Sequence, residues 1–370
     1  MKRVLITGGA GFIGSHIADV LLAANYEVRL LDNLSPQVHG AHRQRPTYLN
    51  NEAELIVGDV TDAFAIDRAL RGVDMVIHLA SAVGVGQSMY DIESYVRIND
   101  FGTAVLLQAL TKRPVERLLV ASSMSIYGEG LARTSDGNAV CPEERSIDQL
   151  KQADWELKDQ QERSLVPLPT PETKRPSLSS IYALNKYAQE RMCLVTGKAY
   201  GIPTIALRFF NVFGPNQALS NPYTGVLAIF AARLLNDRAP LMFEDGLQRR
   251  DFVHVRDVAR ACLLALETSR VNDVFNVGSG QCRTILSVAQ DLARVMGRPT
   301  LAPLITGKYR AGDIRHCFAD IEKSRTMLDF EPRVSFDEGL QELAGYLADQ
   351  VADDQAERAT EELLRRGLVA

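Results

Sequence analysis

The chain has 370 residues, of which 46% are hydrophobic and 24% charged, and its formal net charge is −5. This is ordinary globular composition at a length sufficient for two domains, and an acidic balance without dense Lys/Arg runs argues against a nucleic-acid partner. The five cysteines and six histidines lack metal-ligand spacing, and no run of about 18 apolar residues could span a membrane. The first residues, MKRVLITGG, do not have the pattern of a secretory leader, so none is expected. We therefore expect a cytoplasmic protein with no metal site and no membrane partner.

The first half of the chain alternates strand patterns with helix patterns. Apolar runs bounded by glycine or polar residues predict strands at RVLITGG, EVRLLDN, AELIVGDV, DMVIHLAS and VERLLVASS. Helical spacing predicts helices between them at FIGSHIADVLLAAN, AFAIDRALRG and YVRINDFGTAVLLQALTK. Strands joined by helices pair in parallel through right-handed crossovers. The sequence therefore predicts an α/β fold with a doubly wound, Rossmann-type parallel sheet.

Residues 129–178 interrupt this alternation. They are polar and Pro-rich and contain Trp155, so we predict a long, partly ordered insertion. The pattern after IPTIALRFFNVFGPNQ is more mixed, which predicts a smaller C-terminal α/β lobe that binds substrate. The predicted units are a Rossmann domain at 1–207 to which 250–275 returns, a lobe at 208–249 and 276–345, and a helical tail at 346–370. We interpret the tail as a solvated charged helix, with an oligomer contact as the alternative.

The stretch TGGAGFIG carries Gly8, Gly11 and Gly14 between a predicted strand and a predicted helix. Glycines at these positions permit a tight turn and the close approach of a pyrophosphate to the backbone. The helix that starts near Phe12 would present free N–H groups and its positive end to that anion. A glycine-rich turn without a ligand is the alternative interpretation.

Three polar residues extend the predicted cofactor site. Asp32 ends the second strand 18 residues after Gly14, where a carboxylate accepts hydrogen bonds from ribose hydroxyls and repels a 2′-phosphate. This favours NAD over NADP. Asp59 is expected near the adenine amino group, or else is a turn aspartate. Asn99, on an otherwise apolar helix, is expected to support the site, or else lies on the helix surface.

A candidate catalytic set combines two segments. Ser122 and Ser123 stand at the carboxyl end of a predicted strand, where doubly wound folds place their ligands. Tyr182 and Lys186 are four residues apart, a spacing that by itself also fits an ordinary helix surface. A lysine ammonium and the positive ring of NAD⁺ would favour the phenolate of tyrosine, whose ordinary pKa is near ~10. Tyr182 could then take a hydroxyl proton as hydride leaves the same carbon, with Ser123 bonded to the oxygen.

Ten short segments cover roughly residues 1–345: TGGAGFIGSH, GDV, HLAS, NDFGT, SSMSIYG, YALNK, RFFNVFGPNQ, RRDFVHVRDVA, FNVGSG and YRAGDIRH. Together they resemble the extended short-chain dehydrogenase/reductase family, particularly its nucleotide-sugar epimerases. The resemblance implies NAD as cofactor and Ser123, Tyr182 and Lys186 as catalytic residues. The cofactor-binding residues it implies are Gly8, Gly11, Phe12, Ile13, Gly14, Asp32, Asn33, Asp59, Val60, Leu79, Ala80, Asn99, Tyr182 and Lys186.

For the substrate, the resemblance implies contacts from Ser123, Asn211, Arg250 and Arg310 to a nucleotide-diphosphate sugar. An amide and two guanidinium groups are suitable donors for a diphosphate, although either arginine could be a surface ion-pair residue. Cys317 falls at a position where a small side chain implies a roomier sugar pocket, or else it packs in the core. Val83 stands where galactose epimerases often have lysine, which is a departure from that group.

The reaction is implied by what is missing. Nucleotide-sugar 4,6-dehydratases have an acidic pair at the position resembling Met124–Ser125, and UDP-glucuronate decarboxylases have glutamate where Ser125 stands. Without these acids, the resemblance implies redox-neutral 4-epimerisation through a 4-keto sugar and tightly held NAD. The alternatives are a net dehydrogenase or dehydratase of the same scaffold, and a non-catalytic NAD-sensing protein.

The insertion is most similar to that of a subgroup described as dTDP-L-rhamnose 4-epimerases, so we expect a deoxyhexose nucleotide as substrate. UDP-glucose and UDP-glucuronate are the alternatives. Some relatives carry a cysteine pair in this insertion, but WELKDQQERSL stands here, so a zinc knuckle is not expected. The resemblance also implies a homodimer built on a four-helix contact, from the helices near 100–110 and 182–200.

Overall fold

The computed structural model has a seven-stranded parallel sheet with helices on both faces. It describes residues 1–221, 223, 225–310 and 312–370. The strands in this part of the chain are β1 (Arg3–Thr7), β2 (Glu27–Asp32), β3 (Glu54–Val57), β4 (Met75–His78), β5 (Arg117–Ser123), β6 (Ala132–Arg133), β7 (Ala139–Val140), β8 (Val166–Pro167), β9 (Thr204–Phe209), β10 (Asn211–Phe213), β11 (Leu241–Met242), β12 (Arg249–Arg250), β13 (Phe252–His254), β14 (Asp273–Val277), β15 (Arg283–Thr284), β16 (Leu304–Ile305) and β17 (His316–Cys317).

The helices connect the strands and cover the sheet. A π-helical segment at Val96–Phe101 leads into one helix, and a 3₁₀ turn at Met124–Tyr127 follows β5. The α-helices are α1 (Phe12–Ala23), α2 (Pro36–His39), α3 (Ala63–Ala69), α4 (Val85–Ser88), α5 (Ile92–Tyr95), α6 (Gly102–Lys112), α7 (Ile147–Lys151), α8 (Ile181–Tyr200), α9 (Val226–Leu235), α10 (Val255–Glu267), α11 (Ile285–Val295), α12 (Glu322–Leu328), α13 (Phe336–Leu347) and α14 (Ala356–Arg365).

The large sheet has the strand order β14-β9-β5-β4-β1-β2-β3, and every pairing in it is parallel. Helices cover both faces, which is why its central strands read as continuous apolar runs. On one face Ile6 of β1 packs in the core with Ile17 of α1 and Cys262 of α10. On the other face Leu5 packs with Leu106 of α6. The predicted doubly wound α/β fold is therefore confirmed, and the strand order reverses between β1 and β4, where such sheets bind ligands.

The smaller lobe has its own core. Helices α9, α11 and α13 bury Phe230, Leu292 and Leu340 against one another. The chain passes back to the large sheet through α10, which packs on α1, and its next sheet strand is β14. Strand β13 lies between the two units, because it pairs with β10 rather than with the large sheet.

The insertion is ordered mainly by charge. Its short strands β6, β7 and β8 form a small sheet over a minor apolar cluster. Its acidic and basic side chains reach into the lobe, where the fully buried Arg315 guanidinium bonds Glu156 at 2.6 Å and Glu244 at 2.8 Å. Arg145 also reaches Glu244, at 2.8 Å. A buried cation needs such compensation, so this network fixes the insertion on the lobe.

The C-terminal tail is not a solvated helix. Ala359 and Leu363 of α14 are 8% and 2% exposed, and Val369 beyond the helix is 4% exposed. The apolar face of α14 packs against the protein, and its Glu357 pairs with the buried Arg233 of the lobe at 3.2 Å. The interpretation of the tail as solvated is therefore corrected.

Candidate active site

The glycine loop joins β1 to α1 at the carboxyl edge of the sheet. Gly8 has φ +68°, a conformation that favours glycine, and a Cβ there would lie 2.9 Å from the backbone N of Ala80. A Cβ on Gly14 would lie 2.7 Å from the Gly8 carbonyl oxygen, so glycine is needed where α1 packs on the loop. Helix α1 begins after Gly11 with no side-chain cap and no acidic residue in its first turn. Its free N–H groups therefore remain available to an anion.

Two carboxylates line the same cavity beyond the loop. Asp32 accepts hydrogen bonds from the backbone N–H of Ala10 at 3.0 Å and of Leu34 at 2.9 Å, which orients it at the end of β2. Asp59 accepts from the Asn33 amide at 2.9 Å. Burial alone would raise the pKa of Asp59, but the bonds from Asn33 and the following turn outweigh burial and lower the pKa below its usual value. Both groups are therefore held as acceptors, the chemistry that ribose hydroxyls and an adenine amino group require.

A cavity of about 890 Å³ runs from the glycine loop to the lobe. Its size, its glycine cradle and its carboxylate acceptors fit a dinucleotide next to a second ligand. Seventeen of the predicted site residues line it: Gly8, Gly11, Phe12, Ile13, Gly14, Asp32, Asn33, Asp59, Val60, Leu79, Ala80, Ser123, Tyr182, Lys186, Asn211, Arg250 and Arg310.

Asn99 lies behind the cavity wall rather than on its surface. It is fully buried in the π-helical segment, so the helix-surface alternative does not describe it. Its Oδ1 accepts from the backbone N–H of Ala82 at 2.7 Å and from Ser81 Oγ at 3.0 Å, and its Nδ2 donates to the Ala82 carbonyl at 3.1 Å. Asn99 thus holds the loop that follows β4, which does line the cavity. Single-turn π segments of this kind often occur at functional sites.

Ser123 and Tyr182 face each other across the middle of the cavity. Ser123 ends β5, and its hydroxyl lies 2.8 Å from Ser125 Oγ. Tyr182 is in the first turn of α8, which Ser180 caps by accepting from the Ala183 N–H at 3.1 Å. Burial raises the pKa of Tyr182, while a hydrogen bond with Ser123 acts in the opposite direction. The protein groups therefore do not produce the lowered tyrosine pKa expected from the sequence, because desolvation of the phenolate dominates.

Lys186 lies one helical turn beyond Tyr182 and is 3% exposed. Burial lowers its pKa from 10.5 to about 8, so its ammonium remains the main form at neutral pH. Its Nζ donates to Gln189 Oε1 at 2.9 Å, and Gln189 in turn donates to Thr103 at 2.9 Å. His78 bonds the same threonine at 2.9 Å, and burial lowers the pKa of His78 to about 3. A neutral histidine and an amide thus orient the lysine without adding another charge.

The predicted diphosphate ligands lie at the lobe end of the cavity. Asn211 Oδ1 and Arg310 Nε are buried and have no hydrogen-bond partner within the described residues. Gln217 and Gln248, which also line the cavity, each have a buried Oε1 in the same condition. Buried polar atoms are normally paired, so these four indicate a polar ligand. Sequence reasoning missed both glutamines, although Gln217 is the last residue of the segment RFFNVFGPNQ and Gln248 directly precedes RRDFVHVRDVA.

The two arginines differ in their free hydrogen-bonding capacity. Neither forms an ion pair with a described residue, so the surface ion-pair alternative finds no support. Arg250 donates to the carbonyls of Arg249 at 2.9 Å, Arg315 at 3.1 Å and Ile314, which uses three of its five N–H groups. The guanidinium of Arg310 stacks 4.6 Å from the centre of the Phe243 ring. Among the described residues, Arg310 therefore keeps more N–H groups available for a ligand than Arg250 does.

Cys317 does not border the cavity. It is fully buried in the cluster that contains Tyr127 and Phe210, and its Sγ lies 3.9 Å from Thr170 Oγ1. Burial raises the pKa of its thiol to about 12. The expectation of a direct substrate contact is corrected to the alternative, core packing.

The comparisons with known proteins agree with this geometry. The sequence model described as the NAD dependent epimerase/dehydratase family matches residues 4–146 and 161–278. The chain belongs to this family. NAD is therefore its cofactor, and its relatives include nucleotide-sugar 4-epimerases, a nucleotide-sugar decarboxylase and a dTDP-glucose 4,6-dehydratase.

Three relatives of the family illustrate the similarity. A dTDP-L-rhamnose 4-epimerase of Burkholderia thailandensis is 37% identical over 95% of this chain and 96% of its own. The structure of a UDP-glucose 4-epimerase from Thermotoga maritima with UDP-glucose has a TM-score of 0.76 and 31% identity, and covers 94% of this chain and 98% of that one. A Thermus thermophilus UDP-glucose 4-epimerase in complex with NAD has a TM-score of 0.74 and 30% identity, and covers 94% and 100%.

None of the helices in the described part of the chain has the length and apolarity needed to span a bilayer.

Proposed function

We propose that the protein epimerises a nucleotide-diphosphate sugar at C4 without net oxidation, through a transient 4-keto sugar and tightly held NAD. The observation that carries this proposal is that Ser123, Tyr182 and Lys186 line the same cavity as the glycine loop, which forms its other end. When bound, NAD⁺ supplies the hydride acceptor and donor, and its charged ring adds the positive charge that a phenolate needs.

The protein residues divide the proton chemistry between them. Tyr182 takes the proton of the C4 hydroxyl and returns it after the sugar has presented its other face. Ser123 donates a hydrogen bond to the same oxygen as it becomes a carbonyl. Lys186, as an ammonium ion held by Gln189, stabilises the phenolate of Tyr182.

The position after Ser123 supports epimerisation over water loss. Met124 and Ser125 line the cavity where the resemblance places the acidic pair of 4,6-dehydratases. Ser125 Oγ is 2.8 Å from Ser123 Oγ, so it supports the serine rather than supplying a second acid. Neither side chain titrates near neutral pH, and the remaining Ser, Tyr and Lys set suffices for hydride and proton exchange at one carbon.

We propose dTDP-L-rhamnose as the sugar nucleotide, with UDP-glucose and UDP-glucuronate as alternatives. The 37% identity to the Burkholderia thailandensis enzyme and the insertion at 129–178 favour the deoxyhexose. The identity to the Thermotoga maritima UDP-glucose enzyme, 31%, keeps the alternative open.

The deciding experiment is NMR of the purified protein with each of the three sugar nucleotides in turn and no added cofactor. A C4 epimer from one of them, without net NADH, identifies both reaction and substrate. Failure to epimerise, with NADH formed once NAD⁺ is supplied, would instead indicate a net dehydrogenase. A matched Ser123→Ala protein tests whether any conversion belongs to this site, since it should lose most of the activity.

We also propose a homodimer through a four-helix contact, formed by α8 and by α6 with the π-helical segment that leads into it. Phe101, Leu184 and Val195 on these elements are 54%, 47% and 58% exposed, an unusual display of large apolar side chains. Light scattering should give a dimer mass for the wild type and a monomer mass for a Leu184→Glu, Val195→Glu protein. A dimer mass for both would place the contact elsewhere.

A further inference from the structure

The last nineteen residues, 352–370, form a segment that we call the C-terminal strap. It is fixed to the lobe at its start. Asp354, 3% exposed in its side chain, bonds Arg233 at 3.3 Å and Arg238 at 3.2 Å. Asn236 Nδ2 donates to the Ala352 carbonyl at 2.8 Å. These contacts attach the strap to the end of α9.

The strap then crosses the cavity as α14. Ala356, Ala359, Thr360 and Leu363, which share one helix face at i, i+3, i+4 and i+7 spacing, all line the cavity. A Cβ on Gly86 in α4 would come within 3.3 Å of Leu363, so the helix packs closely on the other side of the opening. One wall of the cavity is therefore formed by α14, which comes after all the predicted catalytic residues in the sequence.

The strap ends against the loop that carries Arg310. The backbone N–H of Tyr309 donates to the Ala370 carbonyl at 2.9 Å, and the N–H of Ala370 donates to the Tyr309 carbonyl at 3.0 Å. Val369 is buried opposite Arg310 in the same short antiparallel bridge. The loop thus gains a backbone partner at Tyr309, the residue before Arg310.

The Arg310 loop needs such a partner. Gly307 and Gly312, on either side of it, have φ of +67° and +74°, and glycines in this region give a chain little stiffness of its own. Insertion residues contact it through side chains: Arg145 Nη2 donates to the Asp313 carbonyl at 2.9 Å, and the Trp155 ring lies 6.1 Å from the Tyr309 ring. The strap adds two backbone hydrogen bonds at Tyr309, next to Arg310.

We propose that the strap is a positioning segment for the nucleotide sugar: Val369 and Ala370 hold Arg310 where its guanidinium meets the substrate diphosphate. The proposal rests on the proposed function, since it requires that a nucleotide diphosphate occupies the lobe end of the cavity. The strap itself contributes no reacting group. Its effect is expected in ligand binding and not in the chemical step.

The test is a protein that ends at Leu368, purified with its NAD and titrated calorimetrically with dTDP and with UDP. The dissociation constant should rise about tenfold, the size expected when a charge-assisted hydrogen bond is displaced. The bound NAD and kcat should change less than about twofold, because the strap positions a binding group only. Leu364→Ala, on the outer face of α14, is the matched control and should bind like the wild type.

The same deletion in an Arg310→Ala background separates positioning from general loosening. Once Arg310 is gone, removing Val369 and Ala370 should weaken binding by less than about twofold, because the two changes act through one group. Equal weakening in both backgrounds, or wild-type binding by the shortened protein, would overturn the proposal. If the shortened protein does not fold, Ala370→Pro keeps the chain length, removes the N–H that donates to the Tyr309 carbonyl and gives the same comparison.

The wild-type titration separates the two hypotheses. Binding of neither dTDP nor UDP would refute the proposed function and this inference with it. Nucleotide binding that ignores the deletion refutes the inference alone.

Discussion

The cofactor half and the substrate half of the cavity are built in different ways. The cofactor half comes from consecutive strand and helix units, so Gly8, Asp32 and Asp59 each stand at the end of successive strands of one sheet. The substrate half is assembled from separate parts of the chain: β10, the start of α9, the Arg310 loop and the strap. Local geometry therefore sets cofactor binding and proton chemistry, whereas substrate contacts depend on distant segments docking correctly.

The largest expected effect tests the chemical side of this comparison. Tyr182→Phe removes the hydroxyl that exchanges the C4 proton, so turnover should fall about 10²–10⁴-fold. Bound NAD should stay, because Gly8 and Asp32 are untouched. Turnover by the epimerase assay and NAD released on denaturation measure the two quantities, and near-normal turnover would contradict the role of Tyr182.

A buried charge tests the substrate side. Arg315→Met removes the arginine that Glu156 and Asp245 share and leaves the buried Glu244 with Arg145 alone, so it should lower the free energy of unfolding by about 3–5 kcal/mol. Arg163→Met is the control in the insertion, because the Arg163 side chain is 43% exposed and its ion pairs are screened by solvent, so the melting temperature should change far less. Thermal denaturation decides the matter, and equal melting temperatures would show that the buried network does not hold the lobe.

The smallest effect concerns stability and pH at the junction of the two halves. The pKa of Lys186 falls from 10.5 to about 8 on folding, so the unfolded chain binds more protons between these pH values. Wild-type stability should therefore rise with pH across this window, and below pH 8 the buried charge should cost up to about 3 kcal/mol. Lys186→Met should be inactive yet more stable below pH 8, with the difference shrinking towards pH 10.5. Denaturant unfolding of both proteins between pH 7 and pH 10.5 measures this difference in the free energy of unfolding. A difference that does not change with pH would mean that the Lys186 ammonium is not buried in solution.

The parts of the site that the sequence predicts are those whose cause is local. The glycine turn, the uncapped start of α1 and the four-residue spacing of Tyr182 and Lys186 are each determined by residues that are close along the chain. The residues concerned all line one cavity. The sequence predicts that Asn99 supports the site. The hydrogen bond from Ala82 to Asn99 depends on the π-helical segment, which no residue pattern in the sequence indicates.

The packing of segments that are distant in sequence could not be predicted, for a physical reason. Nothing in DDQAERATEELLRRGLVA indicates which surface its apolar face will cover, since amphipathicity specifies a face but no partner. Cys317 could not be assigned either, because a cysteine behaves similarly in a core and in a pocket until its neighbours are known.

The pairing of Ala370 with Tyr309 has a practical consequence for handling the protein. A purification tag fused after residue 370 would start at the rim of the active site and could obstruct the opening or pull Val369 from its place. Met1 is 83% exposed and precedes β1, so it lies at the amino ends of the parallel strands, whereas the cavity lies at their carboxyl ends. An N-terminal tag is therefore the sound choice for every assay described above, and a C-terminal tag would imitate the loss of the strap.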